Sequence, residues 1–212
     1  MKVLVACEYS GIVRDAFLKK GHNAISCDLL DTESPIIYEG GHYIGDVKDI
    51  LYDDWDLMIA HPPCTYLSVT GTRWLYHPED MHIQKELRRP HPKFPDRPQK
   101  MLKAIDFVKT LMDAPIEKIA VENPLSVISS HIRKADQCVQ PYYFGHLEQK
   151  RTCLWLKNLP KLQKTHDRTD EVMAMPKSER AKVWAMPPSE ERSKLRSLFF
   201  TGIAEAMADQ WG

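Results

Sequence analysis

Short apolar runs alternate with helical spacings along the first two thirds of the chain. Lys2 to Cys7 reads as a buried strand, Glu8 to Ser10 as a polar turn, the stretch up to Gly21 as a helix, and Asn23 to Asp28 as a second strand. Gly21 suits a helix C-terminus, since a residue without Cβ enters the left-handed region cheaply, and Lys19 and Lys20 suit the negative end of the helix dipole. Beyond a connector containing Pro and Gly come Gly45-Asp46-Val47, an acidic stretch and the apolar strand Leu57 to Ala60. Met101 to Met112 resumes helical spacing, Lys118 to Val121 is a further buried strand, and Gln140 to Leu156 reads as two strands turning at Gly145. Strands alternating with helices predict an α/β fold with a doubly wound, mainly parallel, Rossmann-like sheet.

Two stretches break the alternation. Residues 71–100 hold five prolines, three histidines, seven basic and four acidic residues, so a long surface excursion is expected there. Residues 163–197 are polar and contain an echo, AMPKSER from Ala174 and AMPPSEER from Ala185, in which Ser178 and Ser189 are candidate caps of short helices. From Ile203 to Trp211 an apolar helical pattern returns, consistent with a helix docked on the sheet.

Composition narrows the class. With 212 residues, 43% hydrophobic and 27% charged, the chain is long enough for one elaborated α/β domain and too apolar for a disordered polymer. No apolar run reaches the roughly 18 residues of a membrane helix, and Met1 leads into a strand pattern rather than a signal sequence, so a soluble, cytoplasmic, membrane-free protein is expected. Basic and acidic residues both number 29, so a nucleic-acid partner has to be held by a local basic patch. Cys7, Cys27, Cys64, Cys138 and Cys153 are widely spaced without a CxxC pair, which reads as reduced thiols and no metal site.

The residues able to carry chemistry cluster at predicted strand ends, the edge at which open α/β sheets bind ligands. His61-Pro62-Pro63-Cys64 follows one apolar strand and brings a thiol there, although a buried structural cysteine is the default reading of such a position. Val121-Glu122-Asn123-Pro124 ends another strand with a carboxylate, which is either catalytic or simply solvated. Gln149-Lys150-Arg151 leads into the strand Thr152 to Leu156 and offers a guanidinium, or else a basic hairpin tip. Asp28 stands where nucleotide-binding folds use a carboxylate on a ribose, and Asp46 lies in Gly45-Asp46-Val47.

Taken in order, Cys7-Glu8-Tyr9-Ser10-Gly11, Asp28, Gly45-Asp46-Val47, Pro62-Pro63-Cys64, Glu122-Asn123-Pro124, Gln149-Lys150-Arg151 and the final helix resemble the DNA cytosine-5 methyltransferase family, in the short version carried by bacteriophages. The resemblance implies a class I methyltransferase fold and S-adenosylmethionine held by Cys7, Glu8, Tyr9, Ser10, Gly11, Asp28, Asp46 and Pro62. It also implies a mechanism in which Cys64 adds to carbon 6 of cytosine, Glu122 protonates ring nitrogen 3 and Arg151 positions Glu122 and the ring oxygen. A thiol acts as its anion, so neighbouring donors or a helix N-terminus are expected to lower the pKa of Cys64. DNA is the implied partner, with a target base flipped out or single-stranded. Pro63, Ser68, Arg73, Trp74, Asn123 and Gln149 are its expected contacts, with Tyr76 or Phe94 also available for stacking.

The resemblance covers residues 1–160 plus 198–212 as the catalytic domain. The basic insertion 71–100 and the short polar segment 161–197 take the place of a large target-recognition domain, so low sequence specificity is expected. Position 153 carries Cys where the family usually has a second arginine. A donor bearing an extra carboxylate remains open if Arg14, Arg73 or Arg151 faces the methyl. Also open are a free pyrimidine nucleotide as substrate and a catalytically silent binding module. A monomer in the cytoplasm of a host cell is the setting the resemblance suggests.

Overall fold

The computed structural model describes residues 1–35, 41–187 and 189–212. Its centre is a seven-stranded sheet built from β1 (Lys2–Ala6), β2 (Asn23–Asp28), β3 (His42–Ile44), β4 (Leu57–Ala60), β5 (Lys118–Asn123), β6 (Gln137–Val139) and β7 (Thr152–Lys157), in the order β3-β2-β1-β4-β5-β7-β6. Only β7 runs antiparallel to its neighbours. This is a Rossmann-like, mainly parallel sheet, as the alternation of elements predicted. The central strands are covered on both faces, which is why Val3 to Ala6 and Leu57 to Ala60 are apolar without interruption and fully buried.

One face packs against α2 (Arg97–Met112) and α3 (Ile128–His131) through Met101, Ile105, Val108, Leu111 and Ile128. The other packs against α1 (Ile12–Lys19) and α8 (Thr201–Trp211), where Val13, Ala16 and Phe17 meet Ala204, Met207, Ala208 and Trp211. Between β7 and α8 lie four short helices: α4 (Thr169–Ala174), α5 (Lys177–Arg180), α6 (Lys182–Ala185) and α7 (Glu190–Ser197). No helix among the described residues is long and apolar enough to cross a membrane.

Three expectations are corrected. The strand expected from Gln140 lies earlier, at Gln137–Val139, because Pro141 has no N–H for a ladder and opens a 3₁₀ turn instead. Helix α2 starts at Arg97 rather than Met101, since Pro98 fits a first helical turn that needs no N–H. Ser189 does cap α7, accepting from the Arg192 amide, but Ser178 lies inside α5, whose cap position is Pro176.

The excursion through residues 71–100 is organised by local bonds. Arg89 donates to both oxygens of Asp80 at 2.7 and 2.9 Å, and its own amide donates to the same carboxylate. Trp74, His91 and Phe94 form a ring cluster with centroids 5.1 to 5.6 Å apart. The expected stacking residues Trp74 and Phe94 therefore hold each other in place.

Candidate active site

The carboxyl ends of β1, β4 and β5 meet at one edge, and β7, being reversed, begins there. At the end of β4, His61 turns into Pro62-Pro63-Cys64, and the Cys64 carbonyl accepts the Leu67 and Ser68 amides, closing a tight turn. Asn123, at the end of β5, is buried and donates its Nδ2 to the Pro62 carbonyl at 2.8 Å. It fastens the thiol loop to the neighbouring strand, a structural placement rather than the substrate contact expected of it.

Glu122 projects beside this loop, its Oε2 lying 3.3 Å from His61 Nδ1. The other imidazole nitrogen, Nε2, is buried with no hydrogen-bond partner, and the ring meets Phe199 edge-on at 4.8 Å. Behind His61 is the buried Glu8 carboxylate, which accepts the Val13 amide at 2.7 Å, the Arg14 amide at 3.2 Å and the Ser10 hydroxyl at 3.2 Å. Burial raises the pKa of Glu8, while His61 and the α1 amides pull it down. His61 is the residue that sequence reasoning passed over; its only signal was its position next to Pro62-Pro63-Cys64.

The basic segment supplies a different residue from the one expected. Lys150 is half-buried, its ammonium donating to the Arg196 and Leu198 carbonyls at 2.7 and 3.1 Å and lying 5.4 Å from the Phe200 ring centroid. Burial lowers its pKa, and Glu122 and Cys64 raise it. Arg151 is exposed, and its interaction with the Cys138 thiol raises its pKa. Side chains alternate across a strand, so Arg151 falls with Cys153 on the α2 face whereas Glu122, paired with Leu154, belongs to the α1 face. Arg151 thus leaves the backbone on the face opposite Glu122, on the side of Cys138 and Cys153.

The expected lowering of the Cys64 pKa is not found. Burial raises it, Glu122 raises it further, and the Arg196 and Lys150 cations oppose both without prevailing. Among the other thiols, Cys138 and Cys153 are cross-strand partners with sulfurs 2.8 Å apart, close together despite their sequence separation.

The residues expected at a cofactor gather at the β1–β2–β3 end of the edge. Cys7 has a left-handed backbone (φ 59°) and its thiol pKa is pushed up to about 12 by burial and by the nearby Asp28 and Asp46 carboxylates. Asp28 Oδ1 accepts the Leu30 amide, and Asp46 caps a 3₁₀ turn through the Lys48 amide. Around them Leu29, Leu30 and Ile44 are 75%, 59% and 58% exposed, apolar surface beside a carboxylate. Such a platform fits an adenine ring with its ribose hydroxyls toward Asp28. Gly11 instead answers to its own chain: φ is 73°, and a Cβ there would overlap Ser34 and Arg14. Tyr9 links outward, its hydroxyl 2.7 Å from Ser197 Oγ of α7, while Pro62 is buried and Pro63 exposed.

Of the remaining expected contacts, Arg73 is exposed with its guanidinium 4.9 Å over Trp74, Ser68 bonds to Thr70, and the Gln149 amide is taken by the Arg180 carbonyl. Arg14 is 1% exposed and donates to Asp15, Ser26 and the Gly41 carbonyl, so it does not face a donor methyl. Among the described residues no group of His, Cys, Asp and Glu side chains is arranged to hold a metal ion.

No protein-family profile and no curated protein matches the chain. Among solved structures it is similar to a candidate DNA modification methyltransferase encoded within an E. coli prophage, with 12% identity and a TM-score of 0.42. The match covers 84% of this chain and 56% of that one, so the chain spans little more than half the length of that protein.

Proposed function

We propose that the chain transfers a methyl group from S-adenosylmethionine to carbon 5 of cytosine in DNA, with Cys64 as nucleophile. The observation that carries this reading is the convergence of the Cys64 thiol, the Glu122 carboxylate and the half-buried Lys150 ammonium at the sheet edge on which Asp28 also ends its strand. S-adenosylmethionine, with its adenosine against Leu29, Leu30 and Asp28, supplies an electrophilic methyl when bound.

The chain's own groups do the rest. Cys64, as its thiolate, adds to carbon 6 of the pyrimidine, and its negative charge is offset by Lys150 and Arg196. Glu122, hydrogen-bonded to His61, holds a proton toward ring nitrogen 3 as electron density moves into the ring. Once carbon 5 has taken the methyl, with the donor's methyl–sulfur bond broken, loss of the carbon 5 proton to a base expels Cys64 as thiolate and, with the nitrogen 3 proton returned to Glu122, restores the aromatic ring. Since the raised thiol pKa works against the first step, nucleophile activation depends on the cations beside it. Of the three arginines that could take a donor bearing an extra carboxylate, Arg14 is engaged in the core, which leaves Arg73 and Arg151.

DNA carrying 5-fluorocytosine tests this, because fluorine cannot leave as a proton and the adduct persists. With wild-type protein and donor a denaturation-resistant complex is expected, mapping to Cys64 and lost in Cys64→Ala. No complex, or one that survives that substitution, would overturn the reading.

A further inference from the structure

Beside the thiol loop lies a cavity of about 480 Å³ lined by Arg73, Arg97, Arg192 and Arg196 together with Trp74 and Phe94. Thr65 and Ser68 add hydroxyls, and no carboxylate is among the described residues of the lining. The arginines come from the 71–100 excursion, from the first turn of α2 and from α7, so three separate segments deliver like charge to one hollow. Guanidinium forks with hydroxyls are a phosphate-binding set.

The walls are built rather than incidental. Arg97 donates to the Gly71 and Thr65 carbonyls at 3.2 and 2.8 Å, and a Cβ at Gly71 would overlap its guanidinium. The volume is that of a small-molecule pocket, suited to one nucleotide rather than the flank of a duplex. Thr65 directly follows Cys64, and Arg196 both lines the cavity and lies close enough to Cys64 to act on its charge. The cavity therefore adjoins the thiol in the way a nucleotide's phosphate adjoins its base.

We infer that this arginine cavity is the phosphate site of the cytosine nucleotide whose base is presented to Cys64. The inference rests on the proposed function for what sits at Cys64, and it names the ligand chemistry: a nucleotide phosphate flanked by an aromatic wall. That phosphate belongs either to free dCMP or to a strand opened at the target base.

The experiment is competition against a fluorescein-labelled single-stranded oligonucleotide with one cytosine, read by anisotropy at several salt concentrations. Competitors are dCMP, deoxycytidine and an unlabelled oligonucleotide. Expected is that deoxycytidine competes at least about tenfold more weakly than the better phosphate-bearing competitor. Arg73→Gln and Arg97→Lys are each expected to weaken binding about tenfold, and Arg73→Gln to reduce the salt slope by about one. Strong competition by dCMP assigns the phosphate to the free nucleotide; competition by the oligonucleotide alone assigns it to a strand. Equal competition by dCMP and deoxycytidine, no binding at all, or unaltered binding and salt slope in both variants would overturn the inference. The same samples carrying 5-fluorocytosine separate the two readings. Arginine-dependent binding without a Cys64 adduct removes the cysteine chemistry and keeps the cavity, whereas an adduct with arginine-independent binding does the reverse.

Discussion

Cys64 sits between one carboxylate and two cations, and the balance among them decides when it is an anion. With its pKa raised, the thiolate fraction in the free protein is small at neutral pH and grows as pH rises beyond the ordinary thiol range. Iodoacetamide labelling of Cys64, followed by peptide mapping, is expected to show that rise. Lys150→Met removes a cation from beside the thiol and moves the labelling profile to higher pH, about a tenfold slower rate at pH 8 for each unit of displacement. An unmoved profile would mean that Lys150 serves only to tie Arg196 and Leu198 to the strand. His61 is a positioning residue for Glu122: with one ring nitrogen on the carboxylate and the other buried and unpaired, its loss leaves Glu122 free to swing. His61→Asn is expected to slow adduct formation on 5-fluorocytosine DNA about tenfold with a displaced pH profile and unchanged KM for donor. Equal slowing with the pH profile intact would reduce His61 to packing against Phe199. Asp28→Ala should weaken donor binding about tenfold or more, the loss of a charged hydrogen bond, while DNA affinity stays the same by equilibrium titration. Equal loss of both would make Asp28 structural.

At the scale of elements, the sequence carried the parallel half of the sheet and missed what the reversed strand does. Lys2 to Ala6 and Leu57 to Ala60 are legible because burial on two faces demands uninterrupted apolar residues. The Cys64 and Glu122 strand ends followed from that, since both strands point the same way. Lys150 and Arg151 did not, because which of two adjacent residues faces the crevice depends on strand parity, and a one-residue shift exchanges the faces. The echo in residues 174–192 was legible as caps only where a serine precedes its helix, as Ser189 does. Cohesion of the 71–100 excursion was hidden for another reason: Asp80 and Arg89 pair across a loop, and nothing in the spacing announces it. The Arg89 hydrogen bonds hold the Asp80 carboxyl well below the usual carboxylate range. A depressed folded value means the pair contributes fully above the unfolded carboxylate pKa of about 3.9 and is lost only as pH falls through the lower folded value. Trp74 emission is therefore expected to hold its native position when pH is lowered through 4, and Asp80→Asn to make the excursion protease-sensitive at neutral pH with little change in global Tm. An early acid transition at Trp74 in the wild type would contradict this.

For the whole molecule, the two faces of the sheet serve different ends. The α2 face carries the larger cluster with Trp155 and Met58 and reaches the thiol turn through Leu67, whereas the α1 and α8 face adjoins the site through Glu8, His61 and Phe199. Helix α1 begins where Glu8 collects the Val13 and Arg14 amides, so the crevice floor is anchored by the same helix that buries Phe17 completely against α8. Removing the Phe17 ring leaves a cavity at that junction and is expected to cost about 3–5 kcal/mol. If α1 belongs to one cooperative unit with the sheet, Phe17→Ala lowers the urea midpoint equally by far-ultraviolet circular dichroism and by tryptophan emission, with the denaturant slope unchanged. Below the transition the variant should still form the Cys64 adduct at the wild-type rate, because Phe17 touches neither the thiol loop nor the arginine cavity. Separate midpoints, with adduct formation failing before the tryptophans report unfolding, would show that α1 and its Glu8 turn open on their own. The crevice would then be a locally unstable element attached to a stable sheet.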